Sequence, residues 1–239
     1  MLSKSQIKLI TRLKQKKYRI TDGFFVAEGI KVVNELLLST LELHHLFTVE
    51  PINSYAEKQT IISEAELKKI SFLKTPNKVL AVFKIPEHKT INTNKLIVAL
   101  DDVRDPGNLG TIIRLCDWFG IRDLVCSIGT VDCYNPKVIQ ATMGSITRVN
   151  INYLNLNQFL TEVEVPIFGA YMDGDNVYKR DLPKQGVLIM GNEANGISQD
   201  IEKQVTQRIS IPRFGDLQAT ESLNVATATA ILLSEFKRD

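Results

Sequence analysis

The chain has 239 residues, 44% of them apolar, with 13 glycines and 8 prolines, which excludes collagen-like, low-complexity and disordered classes. That length accommodates one large domain or two smaller ones. The formal charge is +2, so the average composition points to neither nucleic acid, membrane nor a strongly acidic partner.

Taken in chain order, the first 19 residues hold seven basic side chains, Lys4, Lys8, Arg12, Lys14, Lys16, Lys17 and Arg19, and no acidic one. The run reads as a solvated helix face or as a phosphate-contacting arm. It lacks an apolar core of signal-peptide length, and no later run approaches the ~20 apolar residues that a spanning helix needs. FFVAEGIKVVNELLLS then predicts a short strand over residues 24–27, a glycine turn and an amphipathic helix with Ile30, Val33, Leu37 and Leu38 inward. HLFTV, TIIS and VLAVFKI read as short strands around a helix at EAELKKISF, which makes a small α/β unit of about 80 residues. The polar stretch IPEHKTINTNK, residues 85–95, contains Pro86 and reads as a linker.

Beyond the linker, apolar runs alternate with helical patterns from KLIVAL through NLGTIIRLCDWFG, DLVCSIG and PKVIQATMG to GVLIMG. Strands alternating with helices predict a parallel or mostly parallel sheet covered on both faces. In such sheets ligands sit beyond the carboxyl ends of the strands, so the loops there are where chemistry is expected.

Three loops stand out. In LDDVRDPGNLGTIIRLCDWFG the strand over residues 96–100 ends in acids and a Pro-Gly-Asn turn, with Asn108 as the expected cap of a helix starting near Leu109. Leu109, Ile112, Ile113 and Cys116 follow helical spacing toward the sheet, while Arg114 points away from that stripe. An arginine in the early turns runs against the helix dipole, and it reads as a surface residue or as a functional one. In GVLIMGNEANGIS, Gly191 permits close backbone approach, Glu193 stands at the strand end, and Ser198 is the expected cap of the next helix. The dinucleotide fingerprint G-x-G-x-x-G is not supplied here. In RISIPRFGDLQATESLNVATATAILLSEF a strand over residues 208–211 breaks at Pro212, and a small-residue helix is expected from about Ser222, which Ser222 and Asn224 could cap.

Cys116, Cys126 and Cys133 are too few and too loosely spaced for a disulfide framework or a zinc site, so a reducing cytoplasmic location and no metal are expected. The histidines are His44, His45 and His88, which leaves the last 151 residues without one. A site in that region uses no histidine base, which excludes Ser-His-Asp and Cys-His arrangements there.

In this order the three loops resemble the signature motifs of the SpoU, or TrmH-type, RNA ribose 2′-O-methyltransferases of the SPOUT superfamily. The resemblance rests on DPGNLGTIIR with Asn108 and Arg114, on MGNEANGI with Gly191 and Glu193, and on ISIP followed by SLNVA with Ile211, Leu223 and Asn224. FVAEGIKVVNELL is similar to the substrate-binding domain that many of these enzymes carry. The resemblance implies an RNA substrate-binding domain over residues 1–88 and a SPOUT methyltransferase domain over residues 95–239, an α/β fold whose C-terminal part forms a trefoil knot. Connections of that kind are rare enough that general topology rules argue against them.

It further implies S-adenosylmethionine held by backbone groups around Gly191, Ile211 and Leu223. Arg114 would serve the ribose hydroxyl, with Asn108, Glu193, Ser222 and Asn224 shaping the site. A homodimer with the site near its interface is implied too, as is an RNA substrate, ribosomal RNA ahead of transfer RNA. A non-catalytic RNA-binding protein that kept the fold is the alternative. The chain departs from the family pattern at Arg213, where a methionine is usual, in the longer bridge FGDLQATE, and at ATMGSITRV, where Thr142 and Gly144 stand in for a small-residue signature. Under this reading the basic residues up to Arg19 form an RNA arm. Divided at residue 90, Lys+Arg against Asp+Glu is 15 to 9 before and 14 to 18 after, so a basic unit of +6 precedes a histidine-free unit of −4.

Overall fold

The structure, a computed structural model, describes residues 2–214 and 222–238. In chain order the elements are α1 (Lys4–Arg12), α2 (Lys16–Asp22), β1 (Phe24–Glu28), α3 (Ile30–Leu37), β2 (Leu43–Thr48), β3 (Gln59–Ile61), α4 (Glu64–Ile70) and β4 (Val79–Lys84). There follow β5 (Leu96–Leu100), α5 (Pro106–Trp118), β6 (Asp123–Ser127), α6 (Pro136–Thr142), β7 (Asn150–Leu154), α7 (Leu156–Glu162), β8 (Ile167–Asn176), β9 (Gly186–Met190), α8 (Gln199–Glu202), β10 (Gln207–Ser210) and α9 (Val225–Phe236). No helix among the described residues is long and apolar enough to cross a membrane.

Two compact units result. The first takes the residues up to Glu87 together with Asp132–Thr147, and the second takes His88–Val131 together with the residues from Arg148 onward. A contiguous second domain from residue 95 is therefore interrupted where α6 joins the first unit.

In the first unit the sheet order is β1-β4-β2-β3, with β4 antiparallel to both β1 and β2, and β3 parallel to β2. Ile10 and Leu13 from the N-terminal segment close over Val26, Phe47, Leu67, Ile70, Leu80 and Val82 to form its core. Capping boxes begin two of its helices, Ser3 with Gln6 at α1 and Ser63 with Glu66 at α4. Such a cap typically contributes about 1 kcal/mol. The expected inward stripe of α3 is displaced: Val32, Val33 and Leu36 are buried, whereas Ile30 is 47% and Leu38 86% exposed. The buried residues are still one helical stripe, rotated so that Val32 and Leu36 take the places expected of Ile30 and Leu37, and Gly29 at φ 88° stands at the helix start.

Arg19 corrects the sequence expectation more sharply. It is only 2% exposed, its Nε donates to Asp132 Oδ2 at 2.8 Å, and its Nη1 donates to the Leu13 and Lys14 carbonyls at 2.7 and 2.9 Å. A guanidinium so engaged joins the N-terminal helices to the loop before α6 and has no face left for a phosphate. Thr142 and Gly144 also serve the first unit. Thr142 is fully buried and donates to the Ile139 carbonyl, and a Cβ on Gly144 would lie 2.5 Å from Glu35 Cβ.

The second unit carries a six-stranded sheet in the order β10-β8-β9-β5-β6-β7, every pair parallel. Its central strands β5 and β9 are buried along their whole length, as expected of a parallel sheet covered on both faces. Ile97, Ala99, Val187 and Ile189 pack with Leu156, Leu160, Ile197 and Ile201 from the helices and loops on one face. Since all strands run the same way, the loops after β5 and β9 open at one end of the sheet.

Candidate active site

At the end of β5 the chain turns through Asp101, which is 6% exposed, and Asp102, whose φ of 59° is left-handed for a non-glycine residue. Asp102 is held there by its N–H, which donates to Ser127 Oγ at 2.9 Å. The helix cap that follows is Asp105, not Asn108. Asp105 Oδ1 accepts the Asn108 N–H at 2.8 Å, and Pro106 occupies the first helical position. An aspartate followed by proline outcompetes a later asparagine because proline's missing N–H and fixed φ suit that first position. Asn108 consequently sits inside the first turn with its side-chain amide free for other partners. Leu109, Ile112, Ile113 and Cys116 are buried as their spacing predicts. Arg114 is exposed and makes no hydrogen bond or ion pair among the described residues.

The loop after β9 folds back on itself. Asn192 and Gly196 exchange two main-chain hydrogen bonds of 2.9 Å, Gly196 adopts φ 68°, and a Cβ on Gly191 would lie 2.3 Å from the Gly196 carbonyl carbon. The Asn192 side chain organises the turn. Its Oδ1 accepts the Ala194 and Asn195 N–H groups at 2.9 and 3.1 Å, and its Nδ2 donates to the Asp102 carbonyl at 2.7 Å. Asp101 Oδ2 accepts the Ser198 N–H at 2.7 Å, which ties the far end of the loop to β5 as well. Ser198 caps α8 by position, but its side chain makes no capping bond. Asn192 and Asp101 were missed by motif reasoning; an asparagine two residues before a chain reversal, able to form an Asx turn, is the signal that could have found the first.

These anchors present Glu193 at the tip of the loop, where its Oε1 accepts from Asn108 Nδ2 at 2.9 Å. The third loop arrives through α9, which starts at Val225 and not near Ser222. Asn224 caps it, with Oδ1 accepting the Ala226 and Thr227 N–H groups, and its Nδ2 donates to Asn108 Oδ1 at 2.9 Å. Capping and site-building are therefore done by the same side chain. α9 packs beside α5 through its buried face, which includes Ala226, Thr229 and Leu233. Glu193, Asn108 and Asn224 thus form a continuous side-chain chain across three loops separated by 85 and 116 residues. Ser222 and Leu223 are exposed beside it in sequence, Ile211 is half-buried just past β10, and none of the three joins the chain of bonds. Most of the bridge FGDLQATE lies outside the described residues.

Residues 95–234 match the model of the SpoU rRNA Methylase family. The chain belongs to that family. Residues 4–81 of this SpoU-family protein match the MRM3-like substrate binding domain. The chain is 29% identical over 232 residues, 93% of its own length and 92% of the other, to the 23S rRNA (guanosine(2553)-2′-O)-methyltransferase RlmP of Bacillus subtilis. Its fold superposes on a TrmH-family protein from Porphyromonas gingivalis at a TM-score of 0.88, with 37% identity, 99% of this chain and 98% of that one covered. An AdoMet-bound rRNA methyltransferase from Sinorhizobium meliloti gives the same TM-score at 30% identity, with 99% and 96% covered.

In this SpoU-family chain the remaining basic residues of the N-terminal segment divide by environment. Lys4, Lys8, Lys14, Lys16 and Lys17 are exposed, whereas Arg12 is half-buried, with its Nε 2.8 Å from Asp22 Oδ2 and its guanidinium over the Tyr18 ring. Lys17 lies over the same ring at 4.7 Å. No group of three or more His, Cys, Asp and Glu side chains among the described residues is placed to hold a metal ion.

Proposed function

We propose that this protein transfers a methyl group from S-adenosylmethionine to a ribose 2′-hydroxyl of ribosomal RNA. The observation that carries the reading is the Glu193–Asn108–Asn224 chain, which draws the three motif loops of the second unit into one site. One carboxylate, two amides and flanking apolar residues suit a cofactor that is cationic at sulfur and attached to a nucleoside, and neither amide bond of the chain involves a fixed cation. The tight reversal at Gly191, which leaves no room for a Cβ, keeps backbone at that edge of the site. Gly191, Ile211 and Leu223 would hold the cofactor there, as members of the loops after β9 and β10 and of the lead into α9. When bound, S-adenosylmethionine supplies a methyl group activated by its sulfonium.

The chain's own residues position the other reactant. Arg114, exposed and without a partner among the described residues, is available to a ribose oxygen or a phosphate. A guanidinium is a strong hydrogen-bond donor and a poor proton acceptor, so the role of Arg114 is to orient the hydroxyl and stabilise developing negative charge. Asn108 is polarised from both sides, donating to Glu193 and accepting from Asn224, and this fixes its amide orientation. Positioning of this kind converts an encounter into an effectively unimolecular step without a metal. Ser222 completes the lip of the site.

Residues 1–88 act as the RNA-binding part and the histidine-free residues 95–239, of which 132–147 pack with the first unit, as the transferase, in the cytoplasm. Lys4, Lys8, Lys14, Lys16 and Lys17 supply phosphate contacts, with Arg12 in reserve behind Asp22. The active form is a homodimer, supported by Trp118, which stands 84% exposed one helical turn beyond Arg114. The knot implied by the family resemblance belongs to this proposal too, since the Asn224–Asn108 bond returns the end of the chain to the start of α5. The test is tritiated methyl incorporation into ribosomal RNA from cells lacking the protein, with ribose-methyl mapping of the product. Incorporation at a ribose is expected; calorimetric binding of RNA without binding of S-adenosylmethionine would overturn the reading.

A further inference from the structure

The first unit contains a pocket that neither the transfer site nor the basic segment accounts for. It is lined by Gln6, Leu9, Ile10, His44, His45, Phe47 and Val82. Its enclosed part is about 100 Å3, well below the roughly 300–1,000 Å3 of drug-sized sites, so it takes a single ring and not a whole nucleotide.

Its walls are arranged for a flat, hydrogen-bonding group. The pairing of β2 with β4 slips between Leu43 and His45, so His44 is the extra residue of a bulge and is re-aimed out of the pleat. The His44 ring lies against Phe24, centroids 4.3 Å apart and 34° between planes, while the residue stays exposed. His45 is held by a 2.8 Å bond between its Nε2 and Thr60 Oγ1, and tilts onto Phe47. Leu9, Ile10, Phe47 and Val82 supply an apolar floor. Gln6 spends its Oε1 on the Ser3 N–H of the capping box, and its NH2 donates to nothing among the described residues.

Charge at the rim favours a polyanion. Lys84 and Lys58 lie close enough to act on His44; Lys84 is paired with Glu42 at 2.6 Å, and Lys58 Nζ donates to the Leu43 carbonyl and pairs with no acid among the described residues. Partial desolvation of the ring, with these two lysines beside it, pushes the His44 imidazole below its ordinary value, and burial does the same at His45. Both rings are therefore neutral near pH 7 and present a π face and a ring nitrogen rather than a second charge.

We propose that this pocket receives one unpaired nucleobase of the RNA, stacked on His44 and hydrogen-bonded by the Gln6 amide, with Lys58 on the adjoining phosphate. Unpaired bases splayed onto aromatic or histidine rings are the usual means by which proteins read single-stranded RNA. The proposal rests on the RNA-methyltransferase reading and adds the part of the first unit that selects an unpaired base.

The experiment compares fluorescein-labelled ten-nucleotide oligoribonucleotides of A, C, G or U with an abasic ribose-phosphate oligomer of equal length, binding the full chain at fixed salt. The wild type is expected to bind at least one base-bearing oligomer about tenfold tighter than the abasic one, the size that stacking of a single base supplies. His44→Ala should bring the ratio to within about twofold without changing affinity for the abasic strand. Gln6→Glu keeps the capping oxygen but removes the donor, and should lower the same ratio; thermal melts establish that both variants fold. A ratio near one in the wild type, or one unchanged in both variants, overturns the pocket while leaving RNA binding intact. Failure of the wild type to bind any strand, abasic included, overturns the RNA reading itself.

Discussion

The side-chain amides of Asn224 and Asn108, 116 positions apart in sequence, are joined by a 2.9 Å hydrogen bond. Because Asn224 also caps α9 and Asn108 also holds Glu193, a single bond links the start of the last helix to the first turn of α5 and the loop after β9. The bond is exposed, so its direct contribution to stability is about 1 kcal/mol or less. Its effect on the placement of three loops is larger than that figure.

Asn108→Ala should therefore lower the methyl-transfer rate by about tenfold or more while moving the melting temperature little, since two amide bonds are lost without a core cavity. Asn108→Asp should be worse, because it sets a carboxylate against Glu193. Incorporation assays run beside thermal melts check this; a loss of activity matched by a loss of folding would point to a structural role only.

Arg114→Ala should lower turnover by about a hundredfold with calorimetric S-adenosylmethionine affinity unchanged, and Arg114→Lys should recover part of it because a point charge lacks the planar fork. Near wild-type turnover in Arg114→Ala with RNA still bound would remove the residue from the mechanism.

Gly191→Ala forces a Cβ to within 2.3 Å of the Gly196 carbonyl carbon, so the loop must open. Cofactor affinity is expected to fall at least about tenfold, with RNA affinity preserved because the basic segment belongs to the first unit. Calorimetry with S-adenosylmethionine and its demethylated product measures the first, and fluorescence anisotropy the second.

Two kinds of basic residue in the N-terminal segment should separate cleanly. Arg19→Ala leaves Asp132 without its partner at a site where the arginine is 2% exposed, and should cost roughly 3 kcal/mol of stability in urea denaturation. Joint replacement of Lys8, Lys14, Lys16 and Lys17 by alanine should leave the melt unchanged and reduce the slope of log affinity against log salt by about 3. An unchanged slope would remove these lysines from the RNA contact.

Glu28 provides a pH test. Burial, the largest cause, pushes its carboxyl above the ordinary 4.5, against the lowering effect of the Ser71 hydroxyl and the Phe72 N–H. The native state keeps this proton over a window, beginning near 4.5, in which the unfolded chain has released it, so stability falls as pH rises through that window. Glu28→Gln lacks the effect. Relative to that variant, the wild type should lose stability between acid and neutral pH; parallel urea-denaturation profiles would refute the assignment.

Much of the architecture was legible before folding. Buried strands at residues 96–100 and 186–190 announced themselves as continuous apolar runs, because a central parallel strand meets helices on both faces. The stripe Leu109, Ile112, Ile113 and Cys116 followed from helical period alone. Helix starts were less legible. Asp105 displaced Asn108 as a cap because local competitors a few residues apart differ by only about 1 kcal/mol, and the face of α3 that is buried was set by what packs against it.

By itself, then, the sequence determined a basic unit followed by a parallel α/β unit, a +2 average that conceals +6 and −4, and the residue types from which a histidine-free site is built. Tertiary structure alone decided which of those residues meet. It placed Glu193, Asn108 and Asn224 in one chain of bonds, withdrew Arg19 from the basic surface by pairing it with Asp132, and gave α6 to the first unit. The physical reason is range. Period, capping and charge act over a few residues, whereas a hydrogen bond between positions 108 and 224 or an ion pair between 19 and 132 exists only once the intervening chain has packed.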